Sequence, residues 1–568
     1  MKIKTFMLAM AAATALFASA QHQGYKDGID YFKAGQLENA KEILEKTLDA
    51  PETDRAQTLY YLGVLELKGG NVEKASKYFN EGATLDPKCG YNFVGLGAIE
   101  LKKGNVKAAE ELFKKAVKAE KKAYIFTAIA RAYYDTDKIG YAKDYYKYLE
   151  NARSRNKKDP SIYVLRGDIF RDEALAAGTD DPVAIGKAAS EYEMAILFSP
   201  NTPEAYVKYA RLYKGVNPKY SIDRLIELNK VVPNSALAQR ALAESYYDDN
   251  QWTRAAQEYG EYIKNPNHFV KDEERYAVLL YFGERYDESL ALARNILAKD
   301  PANPQMQRML FLNLEKKGDY QGARTAAENF FKTPDVRFTA NDYSTYANIL
   351  NSLEDYDAEI IAREKAIEAN PDKKELLKDL SAAYTQAGGR ANKAEDVVAA
   401  HANYVKAAEV FQKFIDGGEY SVDYKVQDLV DLGNRYQNAA ATSPIDSLST
   451  ERTDYADKAI AVITRVIEIV PENVVPYRNR ARMYLVRSGN KADQATAEAY
   501  KLLIEKLDLD PENKTKRLNE YREAFAQIAS YYLYEKDVEN AKVWYIKMLE
   551  LDPENQALRD YIEDLGKK

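Results

Sequence analysis

The amino-acid sequence predicts an all-α solenoid of about fourteen helix–turn–helix repeats with a capping helix at the C-terminus. Three observations predict this fold class. Residue types recur with a period of 34, prolines mark the ends of repeats, and the 568 residues include 27 glycines and 18 prolines, which is low for a turn-rich β protein. A chain of this length exceeds one hydrophobic core, whereas a repeat array buries each repeat against its neighbours.

The period is visible in the second and third repeats. A small residue, an alanine and an aromatic residue recur after 34 residues, as Gly63, Ala75 and Phe79 and then as Gly97, Ala109 and Phe113. Between them lie apolar positions at helical spacing, and Gly-Gly-Asn at 69–71 separates two such stretches. Each repeat is therefore predicted to be a first helix (helix A), a short turn and a second helix (helix B).

Proline ends successive repeats, because it cannot continue a helix and it restricts the residue before it. The prolines in question are Pro87, Pro200, Pro301, Pro371, Pro471, Pro511 and Pro553. Neighbouring Asp or Asn residues can cap the helix that follows. Gln556 to Leu565, after the last of these prolines, is predicted to be the capping helix.

This pattern resembles the tetratricopeptide-repeat family, in which helix A carries a small residue and then a tyrosine, and helix B carries alanines and an aromatic residue before the proline. The last repeat matches it with Ala529, Tyr532, Ala541, Tyr545 and Pro553. The resemblance implies a right-handed superhelix whose helices A line a concave groove. It also implies a non-catalytic scaffold that binds a peptide or a partner protein in that groove.

The chain is predicted to divide into five segments. These are a signal peptide (1–20), an N-terminal array (21–199), degenerate central repeats (200–337), a C-terminal array with insertions between helices A and B (338–553), and the capping helix (554–568). One insertion, Ala391 to Phe414, has helical periodicity without breakers, so it is expected to lengthen helix B. Another, Ala441 to Thr450, is expected to be an exposed loop.

The first twenty residues have the features of a secretory signal peptide. Lys2 and Lys4 precede an apolar run from Phe6 to Phe17, and Ala18 to Ala20 forms a small-residue cleavage site before Gln21. The apolar run is too short to span a bilayer, and no later run is long enough. A periplasmic location in a bacterial envelope is therefore expected, without a membrane span.

Neither catalysis nor cofactor binding is predicted, so the protein is expected not to be an enzyme. The sequence contains no phosphate-binding loop, no nucleophile elbow and no zinc or calcium motif. Cys89 is the single cysteine, and His22, His268 and His401 are far apart in sequence, so no metal site is expected. A net charge of −7 with interspersed signs argues against nucleic acid as a partner.

Forty-five tyrosines are the one compositional oddity. Many occupy the packing position of helix A, but two clusters are too dense for every ring to face inward: Tyr141, Tyr145, Tyr146 and Tyr148, and Tyr531, Tyr532 and Tyr534. Exposed tyrosine suits protein interfaces and also sugar stacking. Glycan binding is therefore the alternative to binding a protein or peptide partner of the cell envelope. The oligomeric state is left open.

Aligned by their tyrosines and prolines, three repeats place pairs of polar residues on one helix A face. The pairs are Asn348 and Asn351, Asn434 and Gln437, and Arg478 and Arg482. Residues three or four apart share a helix face. Amides can satisfy an extended peptide backbone, and arginine can hold a carboxylate by two parallel bonds. These six residues are the predicted partner-binding site.

Overall fold

The computed structural model describes residues 24–176, 182–214, 216–417, 422–443 and 450–565. The predicted signal peptide, residues 177–181, residues 444–449 of the expected loop and residues 566–568 lie outside this description. Within the described ranges the secondary structure is helical throughout. The protein is an all-α solenoid, as the sequence predicts. The chain divides into two compact units, Met1–Met309 (unit 1) and Leu310–Lys568 (unit 2), each of which is described by itself.

Unit 1 begins with α1 at residues 24–33. The following helices are α2 (Leu37–Thr47), α3 (Arg55–Lys68), α4 (Val72–Leu85), α5 (Gly90–Lys102), α6 (Val106–Ala119), α7 (Ala123–Thr136), α8 (Ala142–Arg155), α9 (Pro160–Ala176), α10 (Pro182–Phe198), α11 (Pro203–Tyr213), α12 (Pro218–Val231), α13 (Ala236–Asp248), α14 (Trp252–Tyr262), α15 (Val270–Phe282) and α16 (Tyr286–Lys299). The division between the units falls within α17 (Pro304–Lys316).

Unit 2 continues with α18 (Tyr320–Phe330), α19 (Ala340–Ser352), α20 (Tyr356–Ala369), α21 (Glu375–Lys393), α22 (Val397–Asp416), α23 (Val422–Thr442), α24 (Thr450–Ile469), α25 (Val474–Arg487), α26 (Gln494–Leu507), α27 (Asn513–Lys516), α28 (Leu518–Tyr534), α29 (Val538–Glu550) and α30 (Gln556–Asp564). In the described ranges, α1 to α26 pair consecutively into thirteen hairpins and α28 with α29 forms the fourteenth. The expected number of about fourteen repeats is confirmed, and α30 follows them.

The contact between helices A and B explains the 34-residue pattern. A Cβ atom added at Gly63 of α3 would lie 2.4 Å from the ring of Phe79 on α4, and one at Gly97 of α5 would lie 2.3 Å from Phe113 on α6. Phe79 and Phe113 are fully buried. Only a residue without a side chain allows the two helices to approach this closely. The sequence spacing thus records a packing contact.

The insertion at Ala391 to Phe414 is divided differently from the expectation of one lengthened helix B. Helix α21 runs on to Lys393, and α22 begins at Val397. Between them Glu395 has a φ of 61°, which ends the helical conformation, and the Asp396 side chain accepts a hydrogen bond from the backbone N–H of Ala399. Helix B is lengthened to 20 residues, as expected, but the break before it was not expected, because its N-cap is supplied by an acidic residue without glycine or proline. Both helices are lengthened.

Candidate functional site

The six predicted binding residues lie on helices A of unit 2. They are Asn348 and Asn351 on α19, Asn434 and Gln437 on α23, and Arg478 and Arg482 on α25. The face that these helices form together with α21 and α28 is called the unit 2 helix-A face. Partner binding at this face stays a prediction.

Side chains link neighbouring helices A across this face. Asn351 Nδ2 on α19 donates to Gln386 Oε1 on α21 at 2.6 Å. Arg435 Nε on α23 donates to Ser381 Oγ on α21 at 2.7 Å, and Ser381 is fully buried. Both are bonds between side chains, and they connect helices A of adjacent repeats. They hold the face in one arrangement before any partner arrives.

A second link joins α21 to α23 through opposite charges. Lys378 Nζ lies 2.8 Å from Asp428 Oδ1, and the Asp428 side chain is 1% exposed. A buried carboxylate needs such a partner, because leaving water costs the charged form several kcal/mol. The ammonium of Lys378 also lies 4.9 Å from the ring centroid of Phe414 on α22. The lysine is therefore held from two sides.

Arg482 already holds a carboxylate of this chain. Its Nε and Nη2 atoms donate to the two carboxylate oxygens of Glu523 on α28 at 2.7 and 2.5 Å. Tyr500 donates a third hydrogen bond to Glu523 at 2.8 Å. Burial raises the pKa of Glu523, but the bonds from Arg482 and Tyr500 outweigh it and hold the pKa below 4.5. The bidentate geometry expected for a ligand is thus used within the fold.

Arg478 has a similar position one turn earlier on α25. Its Nη1 atom lies 3.4 Å from Glu520 on α28, and its side chain is about a quarter exposed. The acidic partners Glu520 and Glu523 were missed by the sequence reasoning. They follow the two arginines by 42 and 41 residues. Searching for opposite charges at roughly one repeat's distance would have found them.

The amide side chains of this face have fewer hydrogen-bond partners within the chain than its arginines have. Asn348 is exposed, and its oxygen accepts one bond from Arg363 at 3.2 Å. Asn434 is exposed and makes no side-chain hydrogen bond to the described part of the chain. The amide nitrogen of the half-buried Gln437 is covered and has no partner there either. Asn348 and Asn434 thus present unused hydrogen-bonding groups at the surface, whereas the nitrogen of Gln437 does not reach it. The small Ala382 and Thr385 of α21 lie in the intervening repeat.

The corresponding face of unit 1 is partly covered by the first hairpin of the chain, α1 with α2, which is called the closing hairpin. Arg211 of α11 donates to the carbonyl oxygen of Ala34 at 2.8 Å, and Arg240 of α13 donates to Gln36 at 3.0 Å. The ring of Tyr31 meets that of Phe269 edge-on at 5.4 Å. The expectation that each repeat packs only on its neighbours is wrong for this hairpin, which contacts repeats six to eight.

The closing hairpin is also held by a buried carboxylate. Asp27 is 3% exposed, and its oxygens accept bonds from the backbone N–H of Ala236 at 3.2 Å and from Asn267 Nδ2 at 2.9 Å. Burial raises the pKa of Asp27 to about 7, although these bonds favour the charged form. The contact between α1 and α13 therefore depends on a group that titrates near neutral pH.

A buried ion cluster ties the helices A of unit 1 to one another. Asp168 of α9 accepts from Lys208 Nζ of α11 at 2.6 Å and from Tyr192 of α10 at 2.7 Å, and it also pairs with Arg131 of α7. Burial raises the pKa of Asp168, but Lys208 and Arg131 outweigh it and hold the pKa far below 3.8. The same arrangement recurs around Asp272, which Arg240 and Tyr262 contact.

Titratable groups outside these contacts do not gather into a metal site. The described ranges contain no group of three or more His, Cys, Asp or Glu side chains arranged to hold a metal ion. His268 lies 2.6 Å from Glu273, His401 contacts the carbonyl oxygen of Ala439 at 3.0 Å, and the two belong to different units. His22 lies outside the described residues.

The two tyrosine clusters are largely packed. In the first, Tyr145 is buried and the rings of Tyr141 and Tyr148 lie 5.3 and 5.7 Å from Tyr133, which leaves Tyr146 exposed at 45%. In the second, Tyr534 is 57% exposed. As predicted, not every ring faces inward, but each cluster offers a single exposed ring. In the described part of the chain, no helix has the length and apolar character needed to cross a membrane.

Comparison with known proteins identifies the repeats. Residues 25–88, which include α2, α3 and α4, match a family model described as tetratricopeptide repeat, and residues 523–555, which include α29, match a second model of the same description. No curated protein matches the sequence. The two matches lie near opposite ends of the described chain, and the hairpins between them have the same helix A and helix B organisation.

Solved structures of repeat proteins also resemble the chain. The C-terminal part of a TPR protein from Cytophaga hutchinsonii is 19% identical, with 50% of this chain and 98% of that chain covered at a TM-score of 0.33. A tetratricopeptide repeat protein from Parabacteroides merdae is 16% identical, with 45% and 98% covered at a TM-score of 0.27. YrrB, described as a TPR protein with an unusual peptide-binding site, is 14% identical, with 33% and 97% covered at a TM-score of 0.29. Scores this low carry no argument about function.

Proposed function

We propose that this tetratricopeptide-repeat protein is a non-catalytic interaction scaffold whose unit 2 helix-A face binds a peptide or partner protein. The repeat fold itself indicates protein–protein interaction, since solenoids present extended surfaces. The observation that supports this particular face is its two exposed amides, Asn348 and Asn434, which keep unused hydrogen-bonding groups on helices that are already fixed by hydrogen bonds. The corresponding face of unit 1 is partly covered by the closing hairpin, which leaves less of it for a partner.

The chemistry of the face favours an extended chain as the ligand. A primary amide offers a donor and an acceptor together, which matches the alternating N–H and C=O groups of a peptide backbone. Arg482 forms a neutral pair with Glu523, and Arg478 shares Glu520 with Arg517, so a carboxylate of this chain already contacts each arginine of the face. The proposed ligand is therefore recognised through its backbone and not through a terminal carboxylate.

We propose further that the protein is exported to the bacterial periplasm, on the basis of the sequence features of residues 1–20. Cleavage after Ala20 would make Gln21 the first residue of the mature chain. The intact mass of the protein purified from the cell envelope tests this. A mass that still includes Met1 to Ala20, or recovery from the cytoplasm, would contradict it.

The binding proposal is tested with a triple variant in which Asn348, Asn434 and Gln437 are each replaced by alanine. Partners captured from envelope extract are cross-linked, identified by mass spectrometry, and then titrated as purified proteins. The variant is expected to bind about tenfold or more weakly, since hydrogen bonds to a ligand each contribute on the order of 1 kcal/mol. Its melting temperature should hardly change, because truncating the exposed Asn348 and Asn434 shifts stability by only about 0.5 kcal/mol and the covered nitrogen of Gln437 has no hydrogen bond to lose.

A matched control removes three exposed asparagines from helices B, namely Asn80, Asn151 and Asn329 on α4, α8 and α18. This control should bind its partner as the wild type does. Equal losses in the two triples, or no loss in the first, would remove the face from the binding site. Competition by an envelope polysaccharide would instead support glycan binding, for which the structure offers the separate rings of Tyr146 and Tyr534.

A further inference from the structure

A cavity in unit 1 lies where the sixth repeat is shortened. Helix α11 has 11 residues and ends at Tyr213, whereas α9 and α13, the helices A on either side of it, have 17 and 13. The next helix, α12, begins at Pro218. A cavity of about 260 Å³ lies among α11, α12 and α13. Gln36, which immediately precedes α2, also lines it. It is called the repeat-six notch.

The notch has an apolar floor. Val207 and Ala210 of α11, Leu225 of α12 and Ala241 of α13 line it, and each of these side chains is less than a tenth exposed. Burying an apolar group on such a surface is favourable by about 25 cal/mol per Å² of area removed from water. At about 260 Å³ the notch lies just below the usual range for drug-sized ligands, which suits a molecule of amino-acid size.

Charged side chains of both signs line its mouth, and several of them are already paired. Lys214 lies 2.7 Å from Asp248. Glu244 lies 2.9 Å from Arg240, which is outside the lining. These pairs neutralise one another, so they do not select the charge of a ligand.

Two lining groups of opposite sign keep unused bonding capacity. Arg211 donates from Nη1 to the carbonyl oxygen of Ala34, and in the described residues no carboxylate lies within ion-pair distance of its guanidinium. Asp249 accepts from Gln251 through Oδ2 at 2.5 Å, and its Oδ1 atom has no partner in the same part of the chain. Arg211 thus offers donors to an anion in the notch, and Asp249 offers an acceptor to a cation.

We propose that the repeat-six notch binds a free apolar α-amino acid. Arg211 holds the carboxylate, Asp249 holds the ammonium group, and the side chain rests on Val207, Leu225 and Ala241. A zwitterion satisfies both unused groups at once, and charge-assisted hydrogen bonds are the stronger class. The site is separate from the unit 2 helix-A face, so this proposal does not depend on the proposed scaffold function.

The test is a calorimetric titration of the full mature chain with L-leucine, L-leucinamide, N-acetyl-L-leucine and glycine. L-Leucine is expected to bind with a dissociation constant of about 1 mM or tighter. The amide lacks the carboxylate, the acetyl derivative lacks the ammonium, and glycine lacks the apolar group. Each should bind about tenfold or more weakly, because each loses a charge-assisted bond or the apolar contact.

Two variants assign the groups. Arg211→Ala should lose the preference for L-leucine over L-leucinamide, and Asp249→Asn should lose the preference for L-leucine over N-acetyl-L-leucine. Arg153→Ala on the exposed surface of α8 is the matched control and should keep both preferences. A third variant, Ser245→Phe, fills the notch from α13 and should abolish binding while the helical circular dichroism and melting temperature are retained.

The proposal is overturned if the wild type binds none of the four compounds at about 1 mM. It is also overturned if the acetylated compound binds as tightly as L-leucine, which would indicate a peptide C-terminus as the ligand. Binding of L-leucine that is unchanged in Ser245→Phe would place the site elsewhere on the chain.

Discussion

Asp168 and Lys208 lie on different helices A of unit 1 and form an ion pair at 2.6 Å, with side chains only 3% and 8% exposed. Their separation of 40 residues spans the whole hairpin partner α10. Two buried charges at this distance stabilise the fold only as a pair, because each has lost its hydration. The stacking of repeats four to six depends on keeping both.

Asp168→Asn should therefore destabilise unit 1 by about 3–5 kcal/mol, since it leaves the ammonium of Lys208 without its counter-charge. Urea unfolding at pH 7 measures the change. The double variant Asp168→Leu with Lys208→Met should recover part of the loss, because the apolar pair does not need hydration whereas Arg131 and Tyr192 still lack their partner. A single variant within about 1 kcal/mol of wild type would refute the dependence.

The same carboxyl sets the acid limit of stability. Because the folded pKa of Asp168 lies below the ordinary value of 3.8, its contribution is fully present above that value and is lost as the pH falls through the folded pKa. Wild-type stability should thus fall below about pH 4, whereas Asp168→Asn should lack this part of the decline. Unfolding curves between about pH 1.5 and pH 7 compare the two.

Asp27 should show the opposite dependence. Its folded pKa of about 7 exceeds the ordinary 3.8, so its contribution is present in acid and is lost as the pH rises from about 4 to 7. The stability of wild type relative to Asp27→Asn should fall across that range by up to about 4 kcal/mol. The exposed Asp86→Asn is the control for removing one carboxyl group from the surface of unit 1.

Two glycine substitutions should have opposite signs. Gly63→Ala places a methyl group 2.4 Å from the Phe79 ring and should destabilise by about 1–3 kcal/mol through overpacking. Gly186 lies within α10 with no atom within 4 Å of an added Cβ, so Gly186→Ala should stabilise by about 0.5–1 kcal/mol. Thermal unfolding distinguishes them. Equal effects would show that Gly63 is not a packing position.

Thr339→Ala should weaken the start of α19. Thr339 Oγ1 accepts from the backbone N–H of Asp342, and the Asp342 side chain accepts from the backbone N–H of Thr339, which is a complete capping box. Losing the cap should cost about 0.5–2 kcal/mol. Hydrogen exchange should be faster in the first turn of α19, and Thr339→Ser should restore protection. Unchanged exchange in the alanine variant would contradict the role of the cap.

The local parts of this fold could be predicted from the sequence because they repeat. The spacing of Gly63 and Phe79 records one contact between helices A and B, and its recurrence reports the number of hairpins. The position of the predicted site residues on helices A follows from the same alignment. Whether these residues are free to bind a ligand does not follow from that alignment. Arg482 is paired with Glu523, and only a separate comparison of charges about one repeat apart indicates the pair.

The contacts of the closing hairpin could not be predicted in this way. Asp27 and Ala236 are 209 residues apart, and a repeat pattern reports only what adjacent repeats share. The repeat-six notch is a second example. The sequence shows that the sixth repeat is degenerate. It does not show that Arg211 and Asp249 line the same cavity, because this depends on where α11 ends.

The closing hairpin is far along the sequence from the residues that it contacts. This separation determines the order in which parts of unit 1 can fold. Adjacent helices can pair as soon as they have been made, because their contacts are local and such contacts form quickly. The apolar side chains of Tyr31 and Ile43, which are buried among residues 164–280 in unit 1, have no cover until that part of the chain exists. The closing hairpin is thus synthesised before the residues that cover it, and its packing is completed only after they have been made. Until then it presents an uncovered apolar surface of the kind on which folding chaperones and aggregation both act.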